Sequence, residues 1–193
     1  GNHDILWMGA ACGSEACIAN VLRNNIKYGN MEILENSYGI SLRSLILFAE
    51  KTYPALSPMK AALKAISVIL FKMEGQIILR HPEYSMSDRL LLDKMDLEKA
   101  TVRIGEREYA LNDTYFPTID FKQPYVLSEE ESQVMEDLRA SFRNSHILRS
   151  HVEFLYEKGS IYRVYNGNLL FHGCIPMDEE GNFDGIRIGD RVY

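Results

Sequence analysis

Apolar residues recur every three or four positions along most of this chain, the period of a helix with one buried face. Cys17, Ile18, Val21, Leu22 and Ile26 share such a face, with Ser14 placed to cap its start and Gly29 to end it. Asn24 and Asn25, near its end, read as solvated. Met31 to Glu35 suggests a further short helix. The next begins at Ser41, carries Leu42, Leu45, Ile46 and Ala49 on one face, and is stopped by Pro54. Ser57-Pro58 pairs a capping hydroxyl with proline at the first helical position. The helix it opens carries Leu63, Ile66, Ile69, Leu70, Met73 and Ile77, is loosened at Gly75 and ends at His81-Pro82. Met59 and Met73 read as core filling. Ser87 to Leu97 reads as a short helix with Leu90, Leu91 and Met95 inward. Ser128-Glu129-Glu130-Glu131 is a capping box, so its three carboxylates mark a helix start rather than a metal cluster. Val134, Leu138 and Phe142 form the stripe of that helix. The helix after it turns Ile147, Leu148, Val152 and Leu155 inward and closes at Gly159.

Two stretches change period. Thr101 to Ile104 and Arg107 to Leu111, joined at Gly105-Glu106, predict a small hairpin. Its Arg103 and Arg107 can reach a phosphate or pair with Glu106 and Glu108; the second reading is favoured, because exposed strand charges are common. Ser160 to Tyr165 alternates like a strand, and Asn166-Gly167 is the strongest two-residue hairpin turn. Asn168 to Phe171 returns and delivers His172 at its end. Between the two hairpins, Asn112 to Leu127 is rich in turn residues and rings and reads as a connector rather than an active-site lid. In the tail from Met177 to Tyr193, acidic residues and glycines alternate with Phe183, Ile186, Ile188 and Val192; Asp178, Glu179 and Glu180 do not fit an EF-hand.

Composition narrows the class. The hydrophobic fraction of 46% and charged fraction of 25% are those of a folded globular protein. A net charge of −6 disfavours nucleic acid, which needs clustered Lys and Arg. No apolar run approaches the ~20 residues of a membrane span. Cys12, Cys17 and Cys174 form no Cys-x-x-Cys pair, which disfavours a zinc knuckle or disulfide framework and fits a reducing cytoplasm. Cys174 reads as a small buried residue. His81 reads as a loop histidine. His146 and His151 are five apart and do not share a helical face, and Arg139, Arg143 and Arg149 read as a charged outer face.

The candidate chemistry lies at the two ends. Gly1-Asn2-His3-Asp4 reads as a turn offering Asn2 as a metal ligand and His3 as a general acid. Two-metal phosphatases clamp a phosphate between cations about 3.5–4 Å apart, and such a site takes amide oxygen and imidazole nitrogen. An ordinary polar loop explains the tetrapeptide equally well. His172, alone, reads as a core or rim histidine.

Together these residues carry a resemblance. Gly1-Asn2-His3-Asp4 and Phe171-His172-Gly173 resemble the third signature and a later signature of the calcineurin-like metallophosphoesterases. The longer strings Gly1 to Ile18 and Asn168 to Phe183 resemble the class III fructose-1,6-bisphosphatases of that superfamily. The resemblance implies metal ligands at Asn2 and His172, His3 as catalytic acid, and a lesser catalytic role for Asp4 bracing the turn. It also implies a binuclear Mn2+ centre and hydrolysis of fructose 1,6-bisphosphate to fructose 6-phosphate and phosphate in gluconeogenesis. The superfamily's Asp-x-His, its Gly-Asp-x-x-Asp-Arg and its closing Gly-His signature have no counterpart here. The chain therefore reads as an internal piece of a longer polypeptide, inactive alone, whose partners are the remainder of that polypeptide and, potentially, copies of itself in a homo-oligomer. The expected fold is α+β, the helix-rich central part of a calcineurin-like α/β two-sheet metallophosphoesterase with a β-hairpin near 160–172. Residues 1–13 and 160–193 would belong to the core, and 14–159 to a largely helical insertion that covers the site or builds an oligomer contact. A phosphoprotein phosphatase or a non-catalytic helical module is the alternative. An accidental tetrapeptide would leave Asn2 far from His172.

Overall fold

The computed structural model describes residues 1–173, 176–185 and 187–192. It is a mixed α+β structure: a helical assembly with small antiparallel sheets beside it. The helices are α1 (Asn2–Ala11), α2 (Glu15–Tyr28), α3 (Arg43–Thr52), α4 (Pro58–Arg80), α5 (Glu129–Asn144) and α6 (His146–Lys158). Most of their ends follow from local chemistry. Ser14 and Ser57 adopt the extended backbone of an N-cap. Gly29 ends α2 at φ 73°, with Gly29 N–H donating to Ile26 O and Asn30 N–H to Asn25 O, the Schellman pattern. Ser128 and Glu131 close the capping box at α5 reciprocally.

The longest helix, α4, is central. Its buried residues (Ala61, Ala65, Ile66, Ile69, Lys72 and Met73 among them) point in several directions, as expected of a helix covered on most sides. Helices α2 and α3 pack against it, α1 packs on α2, and α5 touches α1, α2 and α3. Ile18, Leu22, Leu45, Ile66, Ile69, Leu138 and Phe142 meet in one core from which water is excluded. Each such side chain contributes about 1.5–3 kcal/mol on burial. A second, smaller core joins Val68 and Ile78 of α4 to Leu90, Leu92, Ile119 and Tyr125.

The strands are β1 (Met95–Asp96), β2 (Thr101–Ile104) and β3 (Arg107–Ala110) in one antiparallel sheet, β4 (Tyr162–Tyr165) with β5 (Asn168–Phe171), and β6 (Arg187–Ile188) with β7 (Arg191–Val192). Arg103 lies opposite Glu108 in the register. At the second hairpin Asn166 and Gly167 take φ 48° and 72°, the positive pair that a type I′ turn requires.

The connector 112–127 is fastened to α4 by polar groups that wind slowly along that helix. Lys64 Nζ bonds Asp113 Oδ2 at 2.5 Å amid the rings of Tyr53, Phe116 and Tyr115. Lys72 Nζ donates to Thr118 O at 2.6 Å, and Gln76 Nε2 to Tyr125 O at 2.7 Å.

Several expectations are corrected. Gly1 to Asp4 is the first turn of α1 rather than a free turn: the run Ile5 to Ala11 continues it, and the Asp4 carboxylate accepts from the Gly1 backbone nitrogen. The segment after Ser87 is two 3-10 turns (Ser87–Arg89 and Leu92–Lys94) followed by β1, because Leu90 is extended at ψ 116° between them. The Asp96 carboxylate turns the chain beyond by accepting from Glu98 and Lys99 N–H. The short helix expected at Met31 is a π-helical turn at Ile33–Ser37. Gly75 does not loosen α4; it is buried, and a Cβ there would overlap the Tyr125 ring. Ile147 and Met59 face solvent at 52% and 40% exposure, since α6 buries Leu148 and Val152 and α4 turns its first residues outward. Asn24 and Asn25 are part-buried and bond back to Asn20 and Val21. Cys174 and Ile186 lie outside the described residues.

Candidate metal centre

Two elements build the site. Helix α1 carries Asn2 in its first turn, and β5 ends at Phe171, placing His172 just beyond. Asn2 Oδ1 and His172 Nε2 lie 3.0 Å apart, though 170 positions separate them in sequence. The approach that an accidental tetrapeptide would lack is present. With the amide oxygen as acceptor, Nε2 carries the proton. Gly1 makes room for this contact: a Cβ there would sit 3.0 Å from His172 Cδ2 and Nε2. Its glycine is thus explained by the approach of an imidazole.

Beside the pair runs a cleft of about 560 Å3. Asn2, Asp4, Ile5 and Met8 of α1 form one wall, and Leu155, Tyr156 and residues 159–161 the other, with His172 and Gly173 at one end. This is the size range of small-molecule sites. Sequence reasoning missed Ile5, Met8, Leu155 and Tyr156 as its walls. Ile5 and Met8 sit at helical spacing with Asp4, but Leu6, Trp7 and Ala10 around them leave no polar face that would reveal it.

His3 is exposed and is not among the residues lining the cleft. On a helix it lies about 100° around the axis from Asn2. Asp4 lines the cleft and holds the helix start through Gly1. The positive end of the α1 dipole opens at the same place, which favours an anion beside it. Among the described residues, no three His, Cys, Asp or Glu side chains cluster as a metal-holding group. His81 is a loop residue, stacked on Tyr84 and bonded to Glu83 at 2.9 Å.

Residues 1–193 match the family model described as Firmicute fructose-1,6-bisphosphatase. The chain belongs to this family. The fructose-1,6-bisphosphatase match runs through both Asn2 and His172, not one end alone. Class 3 fructose-1,6-bisphosphatase of Clostridium novyi (strain NT) is 48% identical over 212 residues, covering 100% of this chain and 32% of that protein. The one from Listeria innocua serovar 6a is 50% identical over 208 residues, covering 97% and 32%. The chain spans about a third of the length of the curated relatives it matches. No solved structure matches it. No helix among the described residues is long and apolar enough to cross a membrane.

Proposed function

We propose that this chain is part of a metal-dependent hydrolase that converts fructose 1,6-bisphosphate to fructose 6-phosphate and phosphate, a gluconeogenic step in the cytoplasm, and that Asn2 and His172 hold one Mn2+ of its binuclear centre. The observation carrying this is the 3.0 Å approach of Asn2 Oδ1 to His172 Nε2. Two ligand atoms each about 2.1 Å from one cation, at right angles, are about 3.0 Å apart. The pair therefore has the spacing of neighbouring ligands, and the donor types suit a divalent ion.

Bound metals would supply an activated water and neutralise phosphate charge. The chain's own residues do the rest. His172 would bind the ion through Nε2 in the tautomer that carries its proton on Nδ1. Asn2 would offer its neutral amide oxygen to the ion, adding no charge. The first N–H groups of α1 offer partial positive charge to the phosphate. His3, one residue on from Asn2, protonates the departing sugar oxygen, and Asp4 braces the turn carrying both. The remaining ligands come from the rest of the polypeptide, because two protein ligands cannot hold two cations. The core is of the calcineurin-like two-sheet type, and residues 14–159 are a helical insertion against it.

The test is phosphate release with added Mn2+. The complete polypeptide should hydrolyse fructose 1,6-bisphosphate at its 1-phosphate, and this chain alone should release none. Turnover of a phosphopeptide with no turnover of the sugar bisphosphate overturns the substrate assignment.

A further inference from the structure

The two ligand-bearing elements, α1 and β5, are far apart in sequence, and something must fix their separation. Within this chain, hairpin β4–β5 is reached from α6 through Gly159, so α6 carries His172 toward α1. How α6 packs on α1 therefore bears on the distance from Asn2 to His172.

Helices α1 and α6 pack on each other directly, and the Tyr38 ring touches both. It follows the π-helical turn at Ile33–Ser37. Its ring centroid is 5.3 Å from that of Trp7 on α1. On its other side His151 of α6 meets it edge-on at 5.7 Å, with Tyr38 OH 3.3 Å from His151 Nδ1. The Tyr38 carbonyl accepts from Ser145 Oγ at 2.6 Å, and the same Ser145 caps the start of α6. Trp7 also faces Phe142 of α5. Trp7 is one helical turn from His3 and a turn and a half from Asn2, so its packing fixes how α1 is rotated about its axis. Past His151, α6 reaches Leu155 and Tyr156, which wall the cleft opposite Ile5 and Met8.

We propose that Tyr38 is a positioning residue for the Asn2–His172 pair, its ring bracing the packing of α6 on α1. For its effect on metal binding, this rests on the assignment of Asn2 and His172 as ligands. Partners that hydrogen-bond a ligand change metal affinity by about 10–100-fold when removed, and Tyr38, one layer further out, falls at the lower end of that range.

The test uses Tyr38→Leu, which keeps bulk but loses the flat ring and hydroxyl, and Tyr38→Phe, which keeps the ring. Ile69→Val, deep in the core away from the site, serves as a destabilised control, and Trp7→Leu breaks the same contact from the α1 side should Tyr38→Leu not fold. The first readout is the ring nitrogen resonances of His172 in this chain. In the parent, Tyr38→Phe and Ile69→Val the proton stays on Nε2, donated to Asn2 Oδ1; in Tyr38→Leu the ring shows mixed tautomers. The second is Mn2+ affinity of the complete polypeptide. Tyr38→Leu should weaken it about 10-fold, with Tyr38→Phe and Ile69→Val close to the parent. An unchanged His172 spectrum together with unchanged affinity in Tyr38→Leu overturns the proposal. If Asn2→Ala and His172→Ala leave Mn2+ affinity intact, the ligand assignment fails, and the resonances alone decide the role of Tyr38.

Discussion

Lys72 Nζ lies 2.6 Å from Glu131 Oε2 with both side chains sealed from solvent. The Thr118 carbonyl and the Ser128 N–H complete the partners of this buried pair. One contact thereby ties the central helix α4, the connector and the start of α5. Breaking a buried pair from one side leaves an uncompensated charge. Lys72→Met should cost about 3–5 kcal/mol in denaturant unfolding. The double variant Lys72→Met/Glu131→Gln should lose less than the two single losses added. Simple additivity would show that the pair is not coupled.

Ser128 caps α5 by accepting from the Glu131 N–H at 3.1 Å. Ser128→Ala should cost about 1 kcal/mol, read as a lower denaturant midpoint with unchanged slope.

Gly75 touches the Tyr125 ring face so closely that no side chain fits. Gly75→Ala should destabilise by about 1–3 kcal/mol through overpacking, despite the better helix propensity of alanine. In Gly75→Ala/Tyr125→Ala most of the extra loss should vanish. A gain in stability for Gly75→Ala alone would show that the ring is not held there.

Glu74, half-buried on α4, has its carboxyl pushed above the ordinary range by desolvation, which Arg23 and Arg89 only partly offset. A raised folded-state value favours the protonated form. Its stabilising contribution is present below the unfolded value of about 4.3 and is lost as pH rises through the folded value. Glu74→Gln should therefore gain stability relative to the parent at about pH 7, with that advantage gone below about pH 4. Urea midpoints across this window check the sign.

Much of the helical scaffold is legible in the sequence because its signals are local. Ser57-Pro58, Gly29, the Ser128 capping box and Asn166-Gly167 each act within a few residues. Helix α1 was hidden because Ile5, Leu6, Trp7, Met8, Ala10 and Ala11 leave no polar face and so no period. Ser87 to Leu97 misleads because its apolar spacing outweighs Asp96, whose carboxylate accepts from the Glu98 and Lys99 N–H. The buried pair and the fit at Gly75 depend on partners 59 and 50 positions away, which no local pattern encodes; a lone Lys72 between Phe71 and Met73 was the visible hint. The juxtaposition of Asn2 and His172 was inferred from a resemblance, whereas Tyr38 carried no sequence signal at all.

The central proposal is that Asn2 and His172 bind the same cation, and Mn2+ titration of the complete polypeptide tests it most directly. Asn2→Ala and His172→Ala should each weaken one Mn2+ site by more than the roughly 10–100-fold lost with an outer-shell partner. The double variant should weaken that same site and leave the second Mn2+ the less affected. Full parental affinity and stoichiometry in both single variants would contradict it.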